Sequence, residues 1–445
     1  VVFEVATQKI DITPAAGYPM AGYGADAPRL AVGTNRPLFA RCTIIWNDGT
    51  PFALVTVDVL GFRQDTHDQI RSGVVGLGIA TERFVLTATH THNGPVLTTG
   101  LDPFIAYDLE NLTSVGTYTT WLAATVVTLV AQTKTAPRTS CTLDYVVLDE
   151  DFSFNREGLP YAERDVPCLV ARAADGTPRA VLFGYGAHPV AAGAQTTFDP
   201  DYPGPAIDAV EREWDGCFAQ FLTGPAGDQN PVATGSFDDV EGFGGDLGAT
   251  IVDSIGAPGR ELSGPVAAAM RYVALPLDVA LTPLNVAEVR ADYARRAGNS
   301  GIVGYARRHA LRMTQLIDAT PLTALERTVS LPVQKWTIGG ETPLEMLFSG
   351  GEVVSGFAVV IRGEYGGSDR VWFLAYSNDV PAYIPSDELL ASPTYAGGFD
   401  ADFPGIAGGS MAVYDHWAHF SRSTPLSDGV EQTYLAALRG LLDTV

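Results

Sequence analysis

The feature that most constrains this chain is a shared shape: several apolar runs of strand length stop abruptly in small or polar residues, with stretches of helical period between them. The runs FALVTVDVLGF (52–62), RFVLTATHTH (83–92), RAVLFGYGAHP (179–189), CFAQFLTGPAGDQNP (217–231) and VWFLAYSNDVPAY (371–383) share that shape. Helical patterns fall between them, as in TYTTWLAATVVTLVAQTK (117–134) and DYPGPAIDAVEREW (201–214). This alternation predicts an α/β fold of mixed, partly parallel β-sheets layered with helices. In such folds ligands bind beyond the carboxyl ends of the strands, so the polar tails nominate one shared site.

The stretch 284–317 reads as two helices broken at GNSG (298–301) and carries much of the positive charge, as either a lid or a surface hairpin. TVSLPVQKWTIGG (328–340) reads as an antiparallel strand and EQTYLAALRGLLDTV (431–445) as a closing helix. No internal repeat or linker interrupts the chain. The simplest account is a single unit over 1–445 with a helical, lid-like insert at about 284–320.

Composition removes several function classes. Apolar residues make up 46% of the 445, enough for a sizeable core. Against 28 Lys and Arg stand 51 Asp and Glu, and a net charge of −23 repels phosphate backbones, so no nucleic-acid partner is expected. The apolar helical stretch Tyr118 to Ala131 is short and rich in threonine, so no transmembrane segment is expected. Cys42, Cys141, Cys168 and Cys217 form no CxxC pair, which argues against a thiolate zinc site. Two disulfides or four buried thiols both fit, and the apolar surroundings favour packing. Val1 stands where an initiator Met would, which fits a trimmed leader, so a secreted or periplasmic location is expected, with a cytoplasmic one as the alternative.

Two histidines, His90 and His92, close the run that begins at Phe84. If 84–92 is a strand, both imidazoles share a face. A metal site or an acid/base pair can use that geometry, and so can two structural histidines, which need only hydrogen-bond partners. Other strand-end residues join them: His188, Asp228, Glu352, Asp379 and Tyr383. Imidazoles, a carboxylate and a phenol make a nitrogen and oxygen ligand set suited to Zn2+. Spacing alone does not select these residues, because HxH is a weak signal and each isolated residue has a structural rival.

Taken in order, the motifs resemble the neutral ceramidases, also called neutral/alkaline non-lysosomal ceramidases. The likeness runs through KIDITPAAGYPMAGYG (9–24), LFARCTIIWNDG (38–49), TATHTHNGP (87–95), FNREGLPY (154–161), AHPV, DYPG and GPAGDQNP (224–231). It resumes in GGEVVSG (350–356), SNDVPAYIPS (377–386) and TYAGG (394–398). The resemblance implies that His90, His188, Glu352 and Tyr383 hold a catalytic zinc. It further implies that His92 sits beside the zinc-activated water and the scissile group, that Arg156 is an active-site arginine, and that Tyr395 bonds the reacting carbonyl. A zinc ion lowers the pKa of water to about 7 and polarises a carbonyl, and a histidine suits protonation of a leaving amine.

The chain departs from the family in three places. Gln229 and Asn230 follow Gly227–Asp228 where the family commonly has a serine, which excludes a serine nucleophile there. VVSGFAVVIR (353–362) replaces a threonine- and arginine-rich stretch after Glu352. Over the residues to Val445 no carboxyl-terminal β-sandwich domain of the family's kind is expected. The expectation is a zinc-dependent amidohydrolase acting on an N-acyl amide of ceramide type, a small-molecule or lipid substrate. The alternatives are the same site acting on another amide, an ester, a lactone or a glycoconjugate, and a non-catalytic binding protein of the same fold.

Overall fold

A computed structural model describes residues 2–23, 28–98, 112–302, 304–391 and 416–444. A nine-stranded sheet runs, in spatial order, Phe218–Thr223, Pro178–Tyr185, Asp165–Arg172, Thr139–Asp149, Phe3–Asp11, Phe39–Asn47, Thr50–Val57 and Phe84–Ala88, with Arg260–Leu262 beside Thr139–Asp149. Its outermost pair at each end is parallel and the rest are antiparallel. A four-stranded sheet, Val266–Pro276, Thr328–Ile338, Leu344–Ser349 and Val371–Leu374, is antiparallel except for its last pair. The mixed α/β architecture expected from the alternating runs is present, and among the described residues no sheet closes into a barrel.

Period-two alternation sets the layers. Leu54 and Val85 point from the long sheet toward Trp336, Phe348 and Trp372 of the short one, so the two sheets pack face to face. Their neighbours Ala53, Val55, Phe84 and Leu86 point the other way, onto the helices Gln64–Gly76 and Thr113–Thr135. Farther along the same sheet, Val170, Val181 and Phe221 pack on Pro203–Glu213 and Phe237–Ile255. The outer face of the short sheet is covered by Pro283–Gly298, Gly304–Ala319, Ser355–Tyr365 and Val430–Leu442. The result is four layers, helix–sheet–sheet–helix. Each fully buried Val, Leu or Phe along those seams contributes roughly 1.5–3 kcal/mol.

The helix starts follow local chemistry. Ser236 accepts a hydrogen bond from Asp239 N, and Thr282 accepts from Asn285 N with Pro283 at the first helical position. The helix Thr113–Thr135 is longer than the apolar stretch Tyr118 to Ala131 read from the sequence. It has 23 residues and is long and apolar enough to cross a membrane by length and composition. It nevertheless buries a stripe at helical spacing, Val115, Leu122, Val126, Leu129 and Val130, against the long sheet. Its buried threonines close their hydroxyls on carbonyls four residues back, Thr119 on Val115 and Thr133 on Leu129, so they need no other partner.

The segment 284–317 forms two helices that break where GNSG predicts. It buries Val286, Val289, Tyr293, Met313 and Ile317 and so contributes a layer of core. All four cysteines are free. Cys42, Cys168 and Cys217 are buried and Cys141 is partly buried, in keeping with packing roles.

Candidate metal centre

The two histidines of TATHTH do not converge by strand alternation. The strand ends at Ala88, and His90 adopts the left-handed region with φ 66°, so the extended geometry that would align i and i+2 is absent. Main-chain bonds hold the turn: Thr89 N donates to Val57 O at 3.0 Å, and His90 N to Val59 O at 3.1 Å. His188 follows the strand Pro178–Tyr185, with its N–H on Gln229 O at 2.9 Å. Glu352 and Tyr383 are register partners in a short parallel ladder, Glu352–Val353 with Tyr383–Ile384, which sets carboxylate and phenol side by side.

His90 and His188 leave strands near opposite edges of the long sheet. They meet because the edges approach each other: the Thr223 hydroxyl donates to Ala88 O and Thr89 O, each at 3.0 Å. The two imidazole centroids end 4.9 Å apart.

Hydrogen bonding determines which ring nitrogens face the centre. His90 Nδ1 lies 2.5 Å from Leu60 O, His92 Nδ1 2.8 Å from Gly22 O, and His188 Nδ1 2.5 Å from Ala226 O. A carbonyl only accepts, so each Nδ1 carries a hydrogen, and each ring turns its Nε2 inward. There His90 Nε2 and His188 Nε2 lie 3.1 and 3.2 Å from the same oxygen, Oε2 of Glu352. His92 Nε2 is 3.2 Å from His90 Nε2, and the Tyr383 hydroxyl is 3.4 Å from His188 Nε2. His90 and His188 are buried, and His92 is partly exposed.

Burial, then the neighbouring His90 and Arg156 charges, lower the His188 pKa to about 4 against the pull of Glu352. Burial and the two neighbouring imidazoles hold His92 well below the usual range. Burial alone would raise Glu352, but the adjoining histidines carry it well below the ordinary carboxylate value, so it is the anion of the group. With the imidazoles unprotonated, acceptors face acceptors at about hydrogen-bond distance in a buried space, an arrangement that costs free energy until positive charge, a proton or a cation, lies among them. One proton relieves one such contact, whereas one divalent cation relieves them all. The residues present fit a metal: three histidine ligand atoms within 4.8 Å of one another, with a carboxylate and a phenol alongside.

Of the other expected residues, Arg156 is at the rim. Its NH2 donates to Tyr383 OH at 3.2 Å and to Gly227 O at 2.8 Å, and its guanidinium lies over the Tyr383 ring. Tyr395 lies outside the described residues. Asp228 caps the helix after Glu352, accepting from Ser355 N at 2.7 Å, and Asp379 lies 3.7 Å from Arg63. Gln229 is a buried hub, accepting from Ser153 and Glu163 N and donating to Ser355.

Three contributors have no sequence signal strong enough to find them. Gly22 (φ 98°) supplies the carbonyl for His92 and leaves no room for a Cβ, which would sit 2.7 Å from His92 Cα. Arg29 donates to the His92 carbonyl and to Asn93 Oδ1, fixing the loop from the other side. Tyr376 packs on His90 with ring centroids 4.3 Å apart.

The fold is that of the neutral ceramidases. It is similar over its whole length to the crystal structure of neutral ceramidase from Pseudomonas aeruginosa, with a TM-score of 0.69, 17% identity and 74% of that chain covered. A ceramidase complexed with C2 is likewise similar, at TM-score 0.70 and 17% identity, again over 100% of this chain and 74% of that one. No protein-family model matches the sequence, and no curated protein matches it. At this identity the likeness is one of fold, and the chemistry must be argued from the site.

Proposed function

We propose that the protein is a zinc-dependent hydrolase that cleaves an N-acyl amide bond of ceramide type. The observation that carries this reading is the convergence of His90 Nε2 and His188 Nε2 on one oxygen of Glu352, with His92 Nε2 3.2 Å from His90 Nε2. The fold shared with ceramidases, one of them complexed with C2, supports the choice of substrate class.

In this reading His90, His188, Glu352 and Tyr383 hold the metal. Bound zinc polarises the scissile carbonyl and lowers the pKa of water. His92 is the partly exposed member of the triad and is the group that would take a proton from the attacking water and pass it to the departing amine. Its Nδ1–H stays on Gly22 O, so Nε2 is the atom that exchanges the proton. Arg156, already bonded to Tyr383 OH, holds that phenol in place and brings positive charge to the rim, where an oxyanion develops. Tyr395 is proposed as a further donor to the reacting carbonyl.

Purified protein should hold about one zinc ion per chain, as three- and four-ligand sites of this type do. Chelation should abolish release of fatty acid from a short-chain N-acyl sphingosine, and zinc should restore it. His90→Ala and His188→Ala should lose the metal. His92→Ala should keep it and lose rate by roughly 10² to 10⁴ if it is the general acid. Full activity in protein shown by elemental analysis to be metal-free would overturn the proposal.

A further inference from the structure

We propose that Tyr376 is a positioning residue of the metal centre, holding the Glu352 carboxylate with its phenol and the His90 ring with its own ring, and so raising affinity for the ion. The inference rests on the reading that this site binds a metal. Tyr376 is 1% exposed, and its hydroxyl donates to Glu352 Oε2 at 3.4 Å, the oxygen that both His90 and His188 approach. Its ring lies tilted by 37° against His90 and meets His188 edge-on with centroids 6.1 Å apart. One side chain thus touches three of the proposed ligands.

The backbone shows that this placement is imposed. Tyr376 has φ 53°, a left-handed conformation that is unfavourable for a bulky residue. Main-chain bonds over-determine it: Tyr376 N donates to Gly351 O at 3.1 Å, beside Glu352, and Tyr376 O accepts from Ala88 N at 3.1 Å, two residues before His90. Two residues on, Asn378 has φ 65° and accepts from Arg71 NH2 at 2.7 Å while donating to Gln334 Oε1 at 3.0 Å, which anchors the far side of the turn. The strained turn therefore ties the strand end that carries His90 to the ladder that carries Glu352, with the phenol at the junction. A carboxylate ligand held by an outer donor loses less rotational freedom when the ion binds, and removing such partners typically weakens metal binding 10- to 100-fold.

The test is the zinc dissociation constant of wild type and Tyr376→Phe, measured by competition with a chromogenic chelator, together with the visible spectrum of the cobalt-substituted proteins. Phe keeps the ring and deletes only the phenol. The expected result is binding 10- to 100-fold weaker in the variant and an altered cobalt absorption band, with metal-free unfolding little changed. Equal zinc affinity and identical cobalt spectra would overturn the proposal while leaving the metal reading intact. A wild type that binds no zinc would overturn both. Should the Phe variant fail to fold, Tyr376→Leu is read by the same two measurements.

Discussion

Asp58 lies between the strand Thr50–Val57 and the His90 turn, buried, with Oδ2 accepting from Phe39 N at 2.7 Å. Burial raises its pKa from 3.8 to about 6, against the lowering effect of the Phe39 N–H and the Arg41 charge. A carboxyl raised on folding binds its proton more tightly in the native state, so its stabilising effect is complete below pH 3.8 and is lost as pH rises through about 6. Asp58→Asn keeps an acceptor for Phe39 N without the charge. The variant should match wild type in thermal unfolding near pH 4 and exceed it near pH 8, by at most about 3 kcal/mol. A difference that does not grow with pH would show that Asp58 does not titrate in this window. At the same scale, the candidate site was only half legible. His90, His92 and His188 stand out because histidine is scarce and each ends an apolar run. Gly22, Arg29 and Tyr376 do not, because a carbonyl, a guanidinium and a ring are recruited by where the backbone passes.

Elements were the most legible scale where period and length agreed. The paired helices Pro283–Gly298 and Gly304–Ala319 were readable from their spacing and the GNSG break, but their role was not, since a lid and a core layer present the same amphipathic pattern. Their inner face packs on the short sheet through Val289, Tyr293, Met313 and Ile317. Met313→Ala should therefore destabilise the protein by about 2–5 kcal/mol in chemical denaturation while leaving metal content unchanged. Loss below about 0.5 kcal/mol would mean that the helices are a surface attachment that relaxes independently. The helix Thr113–Thr135 gives the complementary lesson. Its threonines lower mean hydropathy and suggest a shorter element, yet back-bonding to the preceding turn lets them stay buried inside a 23-residue helix. The strand Phe84–Ala88 ends four residues earlier than the apolar pattern suggests, because Thr89 and His90 turn to reach the carbonyls of Val57 and Val59.

For the whole molecule, a net charge of −23 sets how the protein meets an aggregated substrate. If the substrate is an N-acyl lipid, its hydrolysis in anionic vesicles should be slow at low ionic strength and rise with salt over the range where the screening length falls from about 30 to about 8 Å. Hydrolysis in zwitterionic vesicles should change little. Salt-independent rates on both surfaces would show that the site's face is shielded from the overall charge.

The order of apolar runs, helical periods and polar strand ends was determined by the sequence alone, because each is local and follows from side-chain alternation and propensity. The α/β class, the four free cysteines' apolar surroundings and the short list of histidines all belong there. Tertiary structure decided that the site exists as one place. His90 and His188 follow strands separated by most of the nine-stranded sheet, and only the approach of its edges, held at Thr223, brings their rings to 4.9 Å. The inward-facing Nε2 atoms depend on the carbonyls of Leu60, Gly22 and Ala226, three backbone atoms from three distant segments. Backbone carbonyls are chemically identical along the chain, so no residue pattern encodes which of them an imidazole will meet. That choice is made by packing, when burial compels every polar group to find a partner.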